Sequence, residues 1–312
     1  TDAAALANSK ALQLAFQAAS TPLSSNTEAT SHRPAFWDAV MAYSAAPTAS
    51  SPLFQPADRT VLVPAHTFYI TFTPIIKAAN AQLSITGRLV LNGNQTLWAN
   101  LAPPPYTAFG ALHFDNCHNI TITGKPQTWS HNNATSPPAP LDQVDVDGAG
   151  FDWWWTVWST GFDHRPHMFY LRQSTNIVFT SLYIVNAPMF HVLISDGQDY
   201  YFRQISIYVD VEKQKELVGR SELNLPLFPL NTDGIDPSAQ RVLIEDFYIE
   251  NYDDAVAVKP ANKNGQVCQC AADMLIRNGT VKYSVGLTIG SVPPNAGHNC
   301  VRNVTFTDIV MH

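Results

Sequence analysis

Short runs of alternating apolar and polar residues recur along the chain from residue 59 onward. Most of them follow polar turn residues, and none is long enough to bury its apolar side by itself. The clearest runs cover residues 119–123, 176–179, 201–207, 242–247, 274–278 and 304–306. Their spacing widens at 124–160 and 210–230, where loops are inserted. This recurrence predicts a solenoid in which each coil covers the apolar face of the next.

The connections between the runs narrow the fold class. Turns marked by proline and glycine separate the strands, and no helical segment follows each strand, which argues against a TIM barrel or a Rossmann sheet. Hairpin turns of the Asn-Gly type are not placed between adjacent strands, and this disfavours a β-sandwich, the second choice. The pattern therefore predicts an all-β protein, a right-handed parallel β-helix.

The first part of the chain has a different pattern. Residues 1–20 are rich in alanine, and Leu6, Leu12 and Phe16 fit the apolar side of a short amphipathic helix. Residues 21–58 are rich in serine, threonine, proline and alanine, which predicts a long loop. We therefore expect one domain over residues 1–312, in which coils over residues 59–312 follow this helix and loop.

Composition limits the classes of partner. Charged residues make up 14% of the 312 residues and the formal net charge is -7, without long basic runs, so nucleic acid is not expected as a partner. No run approaches the roughly eighteen apolar residues that cross a bilayer, so membrane insertion is not expected. An anionic polysaccharide stays compatible, because a local basic pocket can lie in an acidic protein. No cofactor is predicted.

The four cysteines leave a disulfide and a metal site as alternatives. Cys268 and Cys270 are too close to pair comfortably with each other, so we expect one of them to bridge elsewhere, with Cys300 as the leading candidate. Zinc is the other interpretation, but a C-x-C pair without a nearby histidine pair is a weak signal. No metal is therefore predicted.

Five N-x-S/T acceptor triplets are present, at Asn94, Asn119, Asn133, Asn278 and Asn303. Asparagine and threonine are common in β proteins, so such triplets also arise without glycosylation. Together with the even cysteine count, the five triplets favour secretion by a eukaryote and N-linked glycans.

Three carboxylates carry the candidate chemistry. Asp233 lies in the segment Asn231-Thr232-Asp233-Gly234, and Asp253-Asp254 follows twenty residues later. In a solenoid this spacing places all three on successive coils. Like charges held together cost free energy, so such a group indicates a function. Paired carboxyl groups with room for a water molecule are what hydrolysis of a glycosidic bond requires.

Several motifs, taken in order, resemble the polygalacturonases, glycoside hydrolase family 28. They are DGAG at 147–150 with Trp153-Trp154, Arg165-Pro166 before Phe169, NAPMF at 186–190, NTDGID at 231–236, YDD at 252–254 after Glu250-Asn251, and GLTIGS at 286–291. The resemblance covers roughly residues 59 to 312. The motifs are specific in combination, and none of them is specific alone.

The resemblance implies an extracellular, cell-wall-directed enzyme that hydrolyses α-linked galacturonate, or a related pectic chain such as rhamnogalacturonan, with inversion of configuration. It implies that Asp253 is the general acid and that Asp233 and Asp254 position and deprotonate the attacking water. The expected substrate contacts are Asn231, Lys259, Gly286 and Ser291. A surface lysine at a coil turn is the alternative interpretation of Lys259. Long insertions over 21–58, 124–160 and 210–230 would close one end of a groove, which favours action from chain ends.

Two departures from the family pattern support a second hypothesis. The family usually has a histidine before the glycine of the GLTIGS block, and this chain has Val285, which neither donates a hydrogen bond nor carries charge. His298 is an alternative source of an imidazole, although a solvated loop histidine is the simpler interpretation. The family's R-x-K block is absent before the chain stops at His312, so we expect the chain to be an incomplete copy of a longer protein.

The second hypothesis is therefore a family member with weakened catalysis that serves as an extracellular glycan-binding or structural β-helix protein. A lyase of the same architecture is a third hypothesis, disfavoured because the motifs match the hydrolases. Trp153, Trp154, Trp155 and Trp158 either stack sugar rings or pack an inserted loop against the solenoid, and packing is the preferred interpretation.

Overall fold

The computed structural model of the protein describes residues 1–20, 59–101, 109–126, 141–217, 231–260, 270–292 and 299–312. The strands in these ranges are β1 (Thr60–Val63), β2 (Thr67–Ile70), β3 (Thr73–Ile76), β4 (Ala79–Ile85), β5 (Arg88–Leu91), β6 (Gly110–Asp115), β7 (His118–Thr123), β8 (Val146–Asp147), β9 (His167–Arg172), β10 (Thr175–Val185), β11 (Val192–Tyr208), β12 (Ile235–Glu250), β13 (Asp254–Val258), β14 (Ala271–Lys282), β15 (Gly286–Ile289) and β16 (Val301–Met311). The helices are α1 (Asp2–Ala19), α2 (Gln95–Leu101), α3 (Phe151–Thr160) and α4 (Val211–Leu217). The predicted loop over 21–58 lies outside the described residues.

All described strand pairs are parallel, and they stack in three rows. The first row runs β1, β4, β7, β10, β11, β12, β14 and β16. The second row runs β3, β6, β9, the start of β11, the start of β12, β13 and β15. The third row runs β2, β5, β8 and the end of β10. Parallel crossover connections are right-handed, and the predicted fold class, a right-handed parallel β-helix, is confirmed.

Stacked aromatic side chains fill the inside of the coils. Phe179 lies 5.3 Å from Phe169 and 4.9 Å from Phe202 between ring centroids, and all three are fully buried. At the N-terminal end α1 covers the first coils, and its buried Phe16 meets Phe114 edge to face at 5.6 Å. The alternation that the sequence shows is therefore the alternation between this core and the outside.

The corners of the coils contain ladders of residues in the left-handed region. One ladder occupies the same register position in seven coils, with φ between 53° and 63°. Its members are Asn80, Asn119, Asn176, Asp199, Arg241, Asp273 and Asn303. Asparagine and aspartate tolerate this conformation better than most residues. Their amides and carboxylates also bond from coil to coil, as in Asn119 Nδ2 to Asn80 Oδ1 at 2.8 Å.

A disulfide joins Cys270 to Cys300, thirty residues apart in the chain. This confirms that one member of the C-x-C pair bridges to Cys300, and it removes Cys270 from the alternative zinc site. Cys117 is a buried free thiol, and Cys268 lies outside the described residues. Across the described ranges, none of the helices has the length and apolar character needed to span a membrane.

An ionic ladder on the first row gives a stability prediction. Glu245 in β12 is 3% exposed and lies at the same register position as Arg203 in β11 and Arg277 in β14. Its Oε1 accepts from the hydroxyl of Tyr201 at 2.6 Å, and its Oε2 accepts from Arg277 Nη2 at 2.8 Å. Arg203 Nε lies 4.0 Å from Glu245 Oε1 and donates to Asp246 Oδ2 at 3.1 Å, so Glu245 is the direct partner of Arg277 and a more distant neighbour of Arg203.

We expect Glu245→Gln to lower the free energy of unfolding by about 2–3 kcal/mol, because the amide cannot neutralise Arg277, whereas Arg203 keeps its bond to Asp246. Glu216 is the matched control, since its ion pair with Lys213 is exposed. We expect Glu216→Gln to change stability by less than about 0.5 kcal/mol. Urea unfolding measures both values, and equal effects of the two variants would contradict the assignment.

Candidate active site

Three carboxyl groups from two successive coils meet on the second row. Asp233 lies just before β12, and Asp253 and Asp254 lie at the beginning of β13. One oxygen from each of the three carboxyl groups can be chosen so that all three atoms lie within 4.8 Å of one another. Asp233 is 3% exposed, whereas Asp253 and Asp254 are half-buried. The structure therefore brings together the three acids that the sequence singles out, one of them buried and two partly open to solvent.

Two buried polar side chains join the turns that carry these acids. The hydroxyl of Thr232 donates to the carbonyl oxygen of Asn251 at 2.6 Å. Asn251 Nδ2 donates to the carbonyl oxygen of Thr232 at 3.0 Å and to that of Asp254 at 2.7 Å. Both side chains are fully buried, so water does not compete for these bonds. This clamp fixes the position of Asp233 relative to Asp254.

Gly234 allows the two coils to approach closely at this point. Its backbone N–H donates to the carbonyl oxygen of Asp254 at 2.9 Å. A Cβ atom at position 234 would lie 2.4 Å from the carbonyl oxygen of Ala255, closer than side-chain atoms ever come. The glycine that follows Asp233 in the sequence is therefore a packing requirement of the site.

His191 lies beneath Asp233 in the preceding coil. Its Nδ1 and its backbone N–H both donate to the carbonyl oxygen of Asp233, at 3.0 and 2.8 Å. Its Nε2 accepts from the backbone N–H of Ala187 at 3.4 Å, which assigns the proton to Nδ1. Burial lowers the pKa of His191 to about 4, so the ring is neutral at neutral pH. His191 thus holds the backbone of Asp233 without adding charge.

Arg165 connects the segment before β9 to the acid pair. Its guanidinium donates to both oxygens of Asp163, at 2.9 and 2.8 Å, and to Asn231 Oδ1 at 3.1 Å. The backbone N–H of Asn231 donates in turn to Asp253 Oδ2 at 2.7 Å, and that of Asp254 donates to Asp253 Oδ1 at 2.9 Å. Backbone donors on both oxygens fix the Asp253 carboxyl group in one orientation.

Lys259 faces the acids of the protein. Its Nζ lies 3.0 Å from Asp233 Oδ2 and 2.5 Å from Asp236 Oδ2. The same ammonium lies 4.5 Å from the centre of the Phe190 ring, a cation–π distance. Asp236 is fully buried, and no sequence motif pointed to a role for it. Lys259 therefore lies in the site as expected. Its observed partners are two carboxyl groups of the protein, whereas a substrate carboxylate was the expected one.

Burial raises the pKa of these acids. The pKa of Asp233 rises to about 6 because the group is buried, and the charges of Asp253 and Asp254 add to this effect while Lys259 opposes it. Burial also raises the pKa of Asp254, and Asp253 adds to the shift. For Asp236, burial raises the pKa well above its usual range, and Asp233 adds to the effect. The site therefore exchanges protons at mildly acidic pH, where general acid and base catalysis needs them.

The coil after the acids carries the remaining predicted contacts. The backbone N–H of Val285 donates to the carbonyl oxygen of Asp253 at 2.9 Å, and its side chain is 67% exposed. The position expected to present an imidazole thus presents an apolar surface beside the acids. Gly286 pairs with Asp254 and has φ of 119°, a conformation that favours glycine. Ser291 follows β15 and is exposed. His298 lies outside the described residues.

The tryptophans of α3 divide into two groups. Trp153 and Trp154 are buried, with Trp153 against Trp98 at 6.1 Å and Trp154 Nε1 donating to the carbonyl oxygen of Ala187 at 3.1 Å. Trp155 and Trp158 are 37% and 51% exposed. Packing of the inserted segment is therefore confirmed for the first two.

The four described glycosylation triplets have exposed asparagines whose amide groups donate hydrogen bonds to neighbouring side chains. The acceptors are Asp2 for Asn94, Asn80 for Asn119, Asp246 for Asn278 and Asp273 for Asn303. An amide nitrogen that carries a glycan keeps one hydrogen, so these bonds are compatible with modification. Glycosylation stays a prediction, and Asn133 lies outside the described residues.

Known proteins are similar to this chain in sequence. An endo-polygalacturonase from Pectobacterium carotovorum subsp. carotovorum is 26% identical over 76% of this chain and 57% of its own length. A probable exopolygalacturonase C from Aspergillus niger is 25% identical over 78% of this chain and 48% of its own length. The chain therefore spans about half the length of these curated relatives.

Solved structures show the same architecture. The endo-xylogalacturonan hydrolase from Aspergillus tubingensis superposes with a TM-score of 0.59 at 18% sequence identity, over 94% of this chain and 73% of that enzyme. At this identity the likeness establishes the fold. The family model for glycosyl hydrolases family 28 matches residues 141–312, more than half of the chain and the whole of the acid site. The protein therefore belongs to glycosyl hydrolases family 28.

Proposed function

We propose that the protein is an inverting glycoside hydrolase that cleaves α-linked galacturonate or a related pectic chain such as rhamnogalacturonan. One observation carries the proposal: a buried carboxyl group and two partly exposed ones lie with their oxygens within 4.8 Å of one another. Family membership supports the reaction class, and the similarity to polygalacturonases supports a pectic substrate. No cofactor is part of the proposed reaction.

The proposed roles are those that the family's motifs imply for the three acids. Asp253, held by backbone donors on both oxygens, gives a proton to the glycosidic oxygen. Asp233 and Asp254 hold and deprotonate a water molecule on the opposite side of the sugar. The short spacing departs from the ~6.5–9.5 Å between carboxyl groups of most inverting glycosidases. Here two acids, rather than one, would bind the water. The proposed sugar contacts are Asn231, Gly286 and Ser291.

The stereochemistry of the first product tests the assignment. An inverting enzyme releases the β-anomer from an α-linked chain, because water attacks the face opposite to the leaving group. Proton NMR during the first minutes of digestion of a galacturonate oligomer should show this anomer before it equilibrates. Initial release of the α-anomer would contradict water activation by Asp233 and Asp254. An unsaturated, ultraviolet-absorbing product would instead identify a lyase.

We also propose action from chain ends, because the chain carries long insertions, one of which packs its helix α3 against the solenoid through Trp153 and Trp154. Release of short products with little early loss of viscosity would support it. A rapid loss of viscosity would identify internal cleavage.

Val285 favours a second candidate function, extracellular glycan binding with weakened catalysis. Its exposed apolar side chain lies beside the acids where an imidazole was expected. Binding to immobilised pectic oligomers without release of reducing ends would support this function, and measurable hydrolysis would exclude it. Under either function we propose an extracellular, cell-wall location and N-linked glycans.

A further inference from the structure

Asp233 and Asp236 share one cation deep in the site. Each presents one carboxylate oxygen to Lys259 Nζ. The second oxygen of each group, Oδ1, is buried and receives no hydrogen bond. The two carboxyl groups act on each other, so a proton on one can bond the other. Asp236 is fully buried and Asp233 nearly so. Two ionised carboxylates with unsatisfied oxygens would be costly at this depth, because a buried charge must be paired and hydrogen-bonded.

The net charge of Asp233, Asp236 and Lys259 also favours one retained proton. With both acids ionised, the trio carries one net negative charge beside Asp253 and Asp254. With one proton retained, the trio is neutral. Among the described residues, Lys259 is the one cation that acts on either carboxyl group. The segment just before β11 contributes the neutral ring of His191, which bonds the backbone of Asp233, and the Phe190 ring that faces the ammonium, while the Thr288 hydroxyl of β15 bonds Asp254 instead. A single retained proton therefore balances the site.

We propose that Asp236 is a positioning residue that stays protonated and donates its proton as a hydrogen bond to the carboxylate of Asp233. Lys259, in this arrangement, holds the two acids together and does not contact the substrate. The catalytic importance of the pair rests on the function proposed above, whereas the protonation of Asp236 does not.

The directions of the pKa shifts agree with a proton held on Asp236. Burial raises the pKa of Asp236 well above its usual range, while that of Asp233 rises to about 6. Both shifts favour a proton retained by the pair, and Asp236 is the more completely buried of the two acids. The pKa of Lys259 lies above its usual value, because Asp236 and Asp233 outweigh the burial that acts to lower it. A carboxylic acid kept neutral by its surroundings so that it can donate a hydrogen bond has precedent in enzymes.

Infrared spectroscopy tests the protonation without reference to turnover. We expect the C=O stretch of a protonated carboxyl group in the wild-type protein at pH 7, and its loss in Asp236→Asn. Asp145 is the matched control, because it is also a buried aspartate on a lysine, and burial raises its pKa to about 6. Asp145→Asn should keep the band at pH 7. Absence of the band from the wild-type protein, or its persistence in Asp236→Asn, would overturn the proposal.

Two substitutions of Asp236 test the consequence for catalysis. Asparagine keeps a neutral donor, so we expect kcat/KM to stay within about threefold of wild type at pH 5. Valine removes the donor, and we expect a loss on the order of 10²-fold, with the acidic limb of the pH profile moved to higher pH because Asp233 loses a bond to its charged form. Equal losses in the two variants would overturn the proposal. If the valine variant does not fold, or if the wild-type protein shows no turnover, the infrared result decides.

The kinetic constants distinguish a lysine that holds the acids from a lysine that binds the sugar. A lysine that holds the acids affects the chemical step, so Lys259→Met should lower kcat and leave KM within about threefold. A higher KM with unchanged kcat would show that the ammonium binds the sugar carboxylate and would overturn this part of the proposal.

Discussion

Replacing Asp253 by asparagine is expected to lower kcat for release of reducing ends from polygalacturonate by ~10²–10⁴-fold, because the amide cannot give a proton to the leaving oxygen. The fold should be kept with a modest loss of stability, since the side chain is half-buried and asparagine retains one oxygen, which can accept from only one of the two backbone N–H groups that now donate to Oδ2 and Oδ1. Initial rates on the full-length protein, together with its thermal unfolding temperature, measure both effects.

Asp152 provides the control for this experiment, as an exposed acid in the first turn of α3. Asp152→Asn changes the net charge by the same amount, and we expect its rate to equal that of the wild-type protein. Activity of Asp253→Asn at the wild-type level would remove Asp253 as the general acid. A substrate whose leaving group needs no proton should recover part of the lost rate, which a damaged fold would not allow.

The second large effect is expected at Asn251, which donates to the carbonyl oxygens of both acid-bearing turns. Asn251→Ala should lower the free energy of unfolding by about 2–3 kcal/mol, because a fully buried side chain loses both of the hydrogen bonds that it donates. It should also lower kcat on the order of 10²-fold, because small displacements of catalytic groups are costly. Chemical unfolding and initial rates measure the two quantities.

Asn92→Ala is the matched control, since Asn92 is also a buried asparagine with side-chain bonds, but it lies beside α2 in the first coils. Asn92→Ala should lower the free energy of unfolding. Its kcat, calculated per folded molecule, should equal that of the wild-type protein. The double variant of Asn251→Ala with Thr232→Val should lose less stability than the sum of the single losses, by at least about 0.5 kcal/mol. Additive losses would show that Thr232 and Asn251 do not act as one clamp.

The acids themselves were within reach of sequence reasoning, whereas the groups that tune them were not. Asp233, Asp253 and Asp254 stand in short motifs whose residue types point to proton transfer. Asp236 stands only three residues after Asp233, yet its role depends on Lys259, which reaches it from the next coil. The role of His191 was even harder to predict from the sequence, because its ring contacts the backbone of Asp233 and not a side chain.

Some interpretations needed the structure because the sequence allowed two answers. Cys268 and Cys270 were equivalent candidates for the bond to Cys300, and the coil geometry assigns it to Cys270. The tryptophans of α3 are the same residue type in two environments, since Trp153 is buried and Trp158 is half exposed. Burial is a property of the neighbouring coils, so a local pattern does not settle it.

By itself, the sequence determined the repeated strands, the parallel β-helix and the group of three acids, because alternation and motif are local features that do not depend on distant contacts. Tertiary structure alone decided the bonds between coils: the left-handed ladders at the corners, the clamp of Thr232 and Asn251, and the pairing of Lys259 with two carboxyl groups. The physical reason is register. Each coil places its side chains against residues tens of positions away, and the insertion lengths between coils fix which residues meet only when the solenoid is folded.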